Sequence, residues 1–194
     1  EIRTLQAAAA VGQCELMFMY DKFFGEYNHT VAQVLLTRDV VKNPIRKKNT
    51  INTFQALIKM GIIPVVNEND SVATDELAGD KFGDNDTLSA IVATLVEADL
   101  LLILTDIDGL YDKNPRVAPD AKRIPTVRGI TDAIRALAGG AGSARGTGGM
   151  ATKVSAAEIA NGAGIPCVVM SGADPNQLYQ LFDGVVMGTT FLPA

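Results

Sequence analysis

Apolar positions along the chain follow two kinds of spacing, and the alternation between them outlines a fold. Leu16, Met19, Tyr20 and Phe23 recur at i, i+3, i+4 and i+7, which predicts a long opening helix with one apolar stripe. Val31 to Leu36 is a compact apolar run, a strand, and it ends in Thr37, Arg38 and Asp39. A helix is expected from Lys47 to Lys59. Gly61 closes it as the C′ residue, since glycine takes up the left-handed backbone there without strain. Ile62 to Val66 reads as a short strand, broken at once by Asn67, Glu68, Asn69 and Asp70. Residues 71–83 are polar, contain glycine and show no period.

Helical spacing returns with Leu88, Ile91, Val92, Leu95 and Val96, followed by a fully apolar strand, Leu100 to Leu104, that stops at Thr105 and Asp106. From Gly109 to Arg128 the text is turn-rich, with Pro115, Pro119 and Pro125. A helix is expected from Ile130 to Leu137. The glycine tract from Gly139 to Gly149 then leads into a small-residue helix from Met150 to Ala163. A strand from Ile165 to Met170, a short helix from Gln177 to Phe182 and a last strand from Gly184 to Leu192 complete the pattern. Strands that are apolar throughout and alternate with helices indicate an α/β protein whose mainly parallel sheet is covered on both faces, a three-layer αβα sandwich. With no repeat and no interdomain linker, the 194 residues read as one domain, 1–194.

Composition narrows the function classes. Hydrophobic residues make up 47% and charged residues 20%, a globular balance. The net charge of -5 offers no basic surface for nucleic acid, so an anionic ligand needs a locally positive site. No apolar run has membrane-spanning length, and the N-terminus lacks a signal-peptide layout. Cys14 and Cys167 stand apart from each other and from any ligand-like histidine. Each is expected as a buried, reduced thiol, which suits a cytoplasmic protein. His29 is the only histidine, which argues against zinc or a Ser-His-Asp triad and reads as a surface residue near a turn.

Ligands of open parallel sheets sit beyond the carboxyl ends of the strands. Polar groups emerge there at Thr37 to Asp39, Asn67 to Asp70, Thr105 and Asp106, and Ser171 and Gly172. Each cluster alone is ordinary solvated loop, but all of them on one edge of one sheet point to a binding crevice. Gly146, Thr147, Gly148, Gly149 and Met150 precede a helix. On spacing alone a flexible surface loop is the plainer reading. The sharper one is a phosphate cradle, because glycines admit backbone N–H groups to an anion and a helix start adds partial positive charge. Lys153 in the first turn would bring a point charge to a transferring phosphoryl group. The spacing is not a Walker A motif, in which lysine directly follows the last glycine. Asp84, Asn85 and Asp86 open the preceding helix. Asp and Asn are preferred caps and acids suit a helix start, but three in succession exceed what one cap requires, which leaves side chains for a ligand ammonium or amide contact.

Several segments resemble the glutamate 5-kinases of the amino-acid kinase family, in the right order and over almost the whole chain. They are Ala8 to Gln13, Leu35 to Arg38, Ile63 to Thr74, Phe82 to Asp86, Leu104 to Asp106, Gly109 to Tyr111, and Gly146 to Lys153. The last is shared across the wider family, whereas Asn67 to Thr74 with Gly83 to Asp86 mark the glutamate branch. The resemblance implies the amino-acid kinase fold. It also implies that Asp70 and Asn85 bind L-glutamate with Asp86 helping to position it, and that Thr105 and Asp106 contact the nucleotide. It further implies that Thr147, Gly148, Gly149, Met150, Ala151, Thr152 and Lys153 cradle the ATP phosphates, with Lys153 stabilising the group in transfer. The implied reaction is ATP plus L-glutamate giving ADP and L-glutamyl 5-phosphate, with Mg2+, the first step of proline biosynthesis. Feedback inhibition by proline and a homo-oligomer go with it, and no metal ligands are assigned.

The chemistry is compatible with a chain holding one histidine. A glutamate side chain ionises near ~4.3, so at neutral pH it is already a nucleophile and no general base is required. The chain also departs from the family pattern. The family's first strand, glycine turn, lysine and serine-bearing substrate segment are not found before Glu1, no PUA domain follows Ala194, and Gly79 to Lys81 resembles a small insertion. The expectation is therefore an N-terminally incomplete kinase domain with little activity by itself. The rival readings are another member of the fold, an acetylglutamate or UMP kinase, and a non-catalytic fragment that binds a nucleotide or amino acid.

Overall fold

The computed structural model describes residues 2–72, 84–139 and 149–194. The chain forms two compact units, Glu1–Leu88 and Ser89–Ala194.

In the first unit the elements are α1 (Ile2–Gly25), β1 (Val31–Leu36), α2 (Asp39–Lys42), α3 (Pro44–Lys59), β2 (Ile63–Glu68) and the opening residues of α4 (Asn85–Leu95). The two strands pair in parallel, Val31 opposite Ile63 and Leu36 opposite Glu68. This register keeps Asn67 and Glu68 inside β2, whereas the sequence pattern ends the strand at Val66. The start of α3 is also earlier than the expected Lys47. Asn43 caps it, its side-chain oxygen accepting from the N–H groups of Ile45 and Arg46 at 3.0 and 3.1 Å. Pro44 occupies the first turn, where its missing N–H costs nothing. The other end is as read: Gly61 has φ +71, and the N–H groups of Gly61 and Ile62 close on the carbonyls of Ile58 and Leu57. Phe54 is fully buried and anchors α3. The apolar stripe of α1 is less covered than its period suggests, since Met19 is 46% and Phe23 53% exposed. Cys14 on the same helix is exposed, contrary to the expectation of a buried thiol. His29 is exposed and follows Asn28, whose φ of +59 marks the turn, as read.

The second unit contains β3 (Leu101–Thr105), β4 (Thr126–Arg128), α5 (Asp132–Ala138), α6 (Met150–Gly162), β5 (Cys167–Ser171), α7 (Gln177–Phe182) and β6 (Thr189–Leu192). Its sheet runs in the order β3-β5-β6-β4, with β3 beside β5 and β4 beside β6 in parallel and β5 beside β6 antiparallel. Parallel pairing dominates, as the sequence implied, and among the described residues the ladders fall into two sheets. β5 is buried from Cys167 to Met170, with Cys167 and Val169 in the main apolar cluster. A strand covered on both faces has no polar side to alternate with, which is why it appears as an unbroken apolar run. Ala156, Ala157 and Ala160 on α6 are fully buried and let the helix approach the strands closely. The last strand begins at Thr189 and not at the expected Gly184, because Gly184 and Gly188 have φ of +88 and +60, outside the extended range. β4 lies within the region read as turns alone. Among the described residues, no helix is long and apolar enough to cross a membrane.

Candidate functional site

In the first unit the carboxyl ends of β1 and β2 lie side by side. The Asn69 N–H donates to the Leu36 carbonyl at 2.8 Å, extending the ladder one residue past Glu68. Thr37, Arg38 and Asp39 leave β1 where Asn69 and Asp70 leave β2, so two of the four polar clusters share an edge. Asp70 is exposed. Behind this edge the Asn67 amide donates to Gln13 at 3.0 Å, and Gln13 donates to Gln33 at 3.1 Å. Side-chain amides thus connect α1, β1 and β2, and join two of the segments that carry the family resemblance. Asp84 caps α4 through its side chain, accepting from the Thr87 N–H at 2.7 Å. Asn85 and Asp86 follow in the first turn, Asn85 exposed and Asp86 half-buried. Asp84 thus supplies a cap for α4, one of the three polar residues that open it. Ala73, Thr74, the Gly79 to Lys81 insertion and Gly83 lie outside the described residues.

In the second unit β3 and β5 end together, Thr105 opposite Ser171, with the Gly172 N–H donating to the Thr105 carbonyl at 2.8 Å. The other two polar clusters therefore share an edge as well, the four dividing two by two between the sheets. Asp106 is exposed and accepts from the Thr105 hydroxyl at 3.1 Å. α6 spans about 20 Å at ~1.5 Å per residue, comparable with the length of β5. Its end joins β5 through a turn in which the N–H groups of Gly164 and Ile165 bond to Asn161 and Ala160. Since α6 packs on β3, β5 and β6, its N-terminus lies toward the carboxyl edge that carries Thr105 and Ser171. Gly149 is the N-cap and has no side chain to cap the helix. Met150, Ala151, Thr152 and Lys153 form the first turn, and Lys153 is only 5% exposed. No acidic residue stands in that turn. Helix-terminal N–H groups and a lysine on one turn make a site suited to an anion. Thr147 and Gly148 lie outside the described residues.

Two features near β3 escaped the sequence reading. The Tyr111 hydroxyl donates to the Asp108 carboxylate, 2.9 Å from each oxygen. That hydrogen bond, then burial and the Asp108 charge, raise the phenol above its ordinary pKa, with Arg123 opposing. Thr189 is fully buried and bonds across to Leu110 and Ile124. The only local signal was the aspartate three residues before Tyr111. Thr189 had none, its partners being 79 and 65 residues away.

Residues 1–171, spanning both units, match the model of the amino acid kinase family, and the chain belongs to that family. Among curated relatives, it is 56% identical to a glutamate 5-kinase of Clostridium perfringens, over 98% of this chain and 71% of that protein. A glutamate 5-kinase of Geobacter sulfurreducens is 51% identical, over 97% of this chain and 50% of that one. Among solved structures, a carbamate kinase from Giardia lamblia bound to AMP-PNP is similar with a TM-score of 0.64 and 17% identity, over 100% of this chain and 79% of that one. That last likeness concerns the fold.

Proposed function

We propose that this protein transfers the γ-phosphoryl group of ATP to the side-chain carboxylate of L-glutamate, giving ADP and L-glutamyl 5-phosphate, the first step of proline biosynthesis. The name carried by relatives at 51% and 56% identity supports this reading. The structural observation that carries it is the glycine-capped start of α6 with Lys153 buried in its first turn.

In the second unit, Thr105 and Asp106 contact the nucleotide, and the stretch from Thr147 to Lys153 receives its phosphates. In the first unit, Asp70 and Asn85 hold L-glutamate and Asp86 helps to orient it. The glutamate carboxylate attacks the γ-phosphorus, the bond to the bridging oxygen breaks, and ADP leaves with that electron pair. No proton has to move, because the attacking carboxylate is already ionised. Lys153 balances charge on the phosphoryl oxygens, a contribution that grows as the transition state forms. Mg2+ enters with the nucleotide as Mg-ATP. A cytoplasmic setting, homo-oligomeric assembly and feedback inhibition by proline belong to the same proposal and rest on the family likeness.

The test is ADP release by the full-length protein with Mg-ATP and one acceptor at a time: L-glutamate, N-acetylglutamate or UMP. Turnover with glutamate alone is expected. Turnover with either of the others in its place assigns a different kinase of the fold. Binding of ATP and glutamate without ADP release assigns a non-catalytic binding protein.

A further inference from the structure

Between β3 and β4 the second unit makes a long excursion, and its base is fastened at one buried hydroxyl. The Thr189 oxygen accepts from the Leu110 N–H at 2.8 Å and donates to the Ile124 carbonyl at 2.7 Å. Ile124 closes the triangle, its N–H donating to the Leu110 carbonyl at 2.8 Å. Above this base the two limbs stay paired, Tyr111 bridging to Arg123 and the Asp112 N–H reaching the Lys122 carbonyl at 3.0 Å. Thr189 is itself a fixed point. It pairs with Val169 in the β5–β6 ladder, the next residue's N–H bonds to Pro125, and its side chain is 0% exposed. The fit is close. Gly109 has φ +143, and a Cβ there would lie 2.6 Å from the Thr189 hydroxyl oxygen.

We infer that Thr189 is a positioning residue for the nucleotide, holding through Leu110 the segment that begins with Thr105 and Asp106. This deepens the proposed function and rests on its assignment of those two residues to ATP. Asp106 stands four residues before Leu110, at most about 14 Å of chain. One end of this short segment is set by the β3–β5 ladder and the other by the Thr189 hydroxyl. Valine at 189 has nearly the same shape and lacks both hydrogen-bonding functions. It leaves the Leu110 N–H, on a residue only 2% exposed, without its acceptor. The segment then relaxes away from its bound arrangement, and ATP has to restore it on binding.

The experiment compares wild type, Thr189→Val and Thr189→Ser in the full-length protein. Mg-ATP affinity is measured by direct titration, and KM for each substrate by ADP release. Thr189→Val is expected to weaken Mg-ATP about tenfold with the KM for glutamate unchanged, and Thr189→Ser to stay within about twofold of wild type. A merely destabilised protein would lose active fraction, not ATP affinity alone, and serine would not rescue it. A folded Thr189→Val with wild-type ATP affinity overturns the inference, as does an equal rise in both KM values. Should the valine variant fail to fold, hydrogen exchange of the wild-type Leu110 amide decides: Mg-ATP must slow it, and an unchanged rate overturns the inference. If wild type binds Mg-ATP but phosphorylates no glutamate, the proposed function falls, while the Thr189 comparison is still read from ATP affinity.

Discussion

The amide of Gly172 donates to the carbonyl of Thr105 at 2.8 Å, carrying the β3–β5 ladder one residue past its last pair. Thr105 is thereby fixed from the neighbouring strand at the point where the segment proposed to contact the nucleotide leaves β3. A Cβ on Gly172 would stand 3.2 Å from the Leu104 Cβ, closer than ordinary packing.

The first prediction follows from that contact. Gly172→Val forces β3 and β5 apart at their carboxyl ends, whereas Gly172→Ala is accommodated by a small shift. Overpacking of this kind costs about 1–3 kcal/mol of stability. The valine variant should show that loss in denaturant unfolding together with a raised KM for ATP. An unchanged ATP KM at reduced stability would detach Gly172 from the nucleotide.

Lys153 gives the second. Like Val154, Ala156 and Ala157 on α6 it is buried, so Lys153→Met keeps the apolar stem in place and removes the ammonium group. Turnover should fall ~10²–10³-fold, the usual effect of deleting one electrostatic contact made in the transition state. Substrate KM values should move far less. Wild-type turnover in this variant would sink the role assigned to Lys153.

The third concerns Asp70, exposed just beyond β2. A carboxylate pairing with the substrate ammonium acts in ground and transition states alike, so its loss appears in KM. Asp70→Asn should raise the KM for glutamate roughly ten- to hundredfold and leave ATP affinity as it was. A variant with weakened ATP and normal glutamate KM would mean that the two ligands have been assigned to the wrong residues.

These predictions draw on features that the sequence revealed unequally. Helix ends were legible where a local rule decides them, as at Gly61, whose positive φ only glycine takes up without strain. β5 was legible because burial on both faces leaves an unbroken apolar run. The start of α3 was missed although Asn43 and Pro44 form a cap-and-first-turn pair, because apolar periodicity begins only later. β4 was hidden by its three-residue length and by exposed Thr126 and Arg128, which look like turn residues. Period alone also does not say which strand lies beside which, so a single sheet edge was expected where the described residues show two. In the candidate site, the glycine loop and strand-end acids were visible as motifs. The hydrogen bonds that support them, Gln13 to Asn67 and Leu110 to Thr189, join residues 54 and 79 positions apart and leave no trace in local pattern.

The last prediction is a titration. Tyr111 donates to Asp108, and that hydrogen bond is the foremost cause raising its pKa above the ordinary phenol value of about 10, with burial and the Asp108 charge adding to it. A raised pKa means that the folded protein holds the phenolic proton more tightly than the unfolded chain does. The stabilisation is therefore fully present below the unfolded value near 10 and is lost as pH rises through the folded value. The phenolate absorbance of wild type minus that of Tyr111→Phe should give a single transition centred above 10. Asp108→Ala should bring this transition back toward the ordinary phenol, since it removes the acceptor and the charge together. The alkaline fall in stability should be shallower in Tyr111→Phe than in wild type. A difference transition at or below 10 would show that Tyr111 does not hold its proton against Asp108 in solution. At neutral pH the phenol stays protonated, so the Asp108 carboxylate keeps its donor, two residues beyond the Asp106 assigned to the nucleotide.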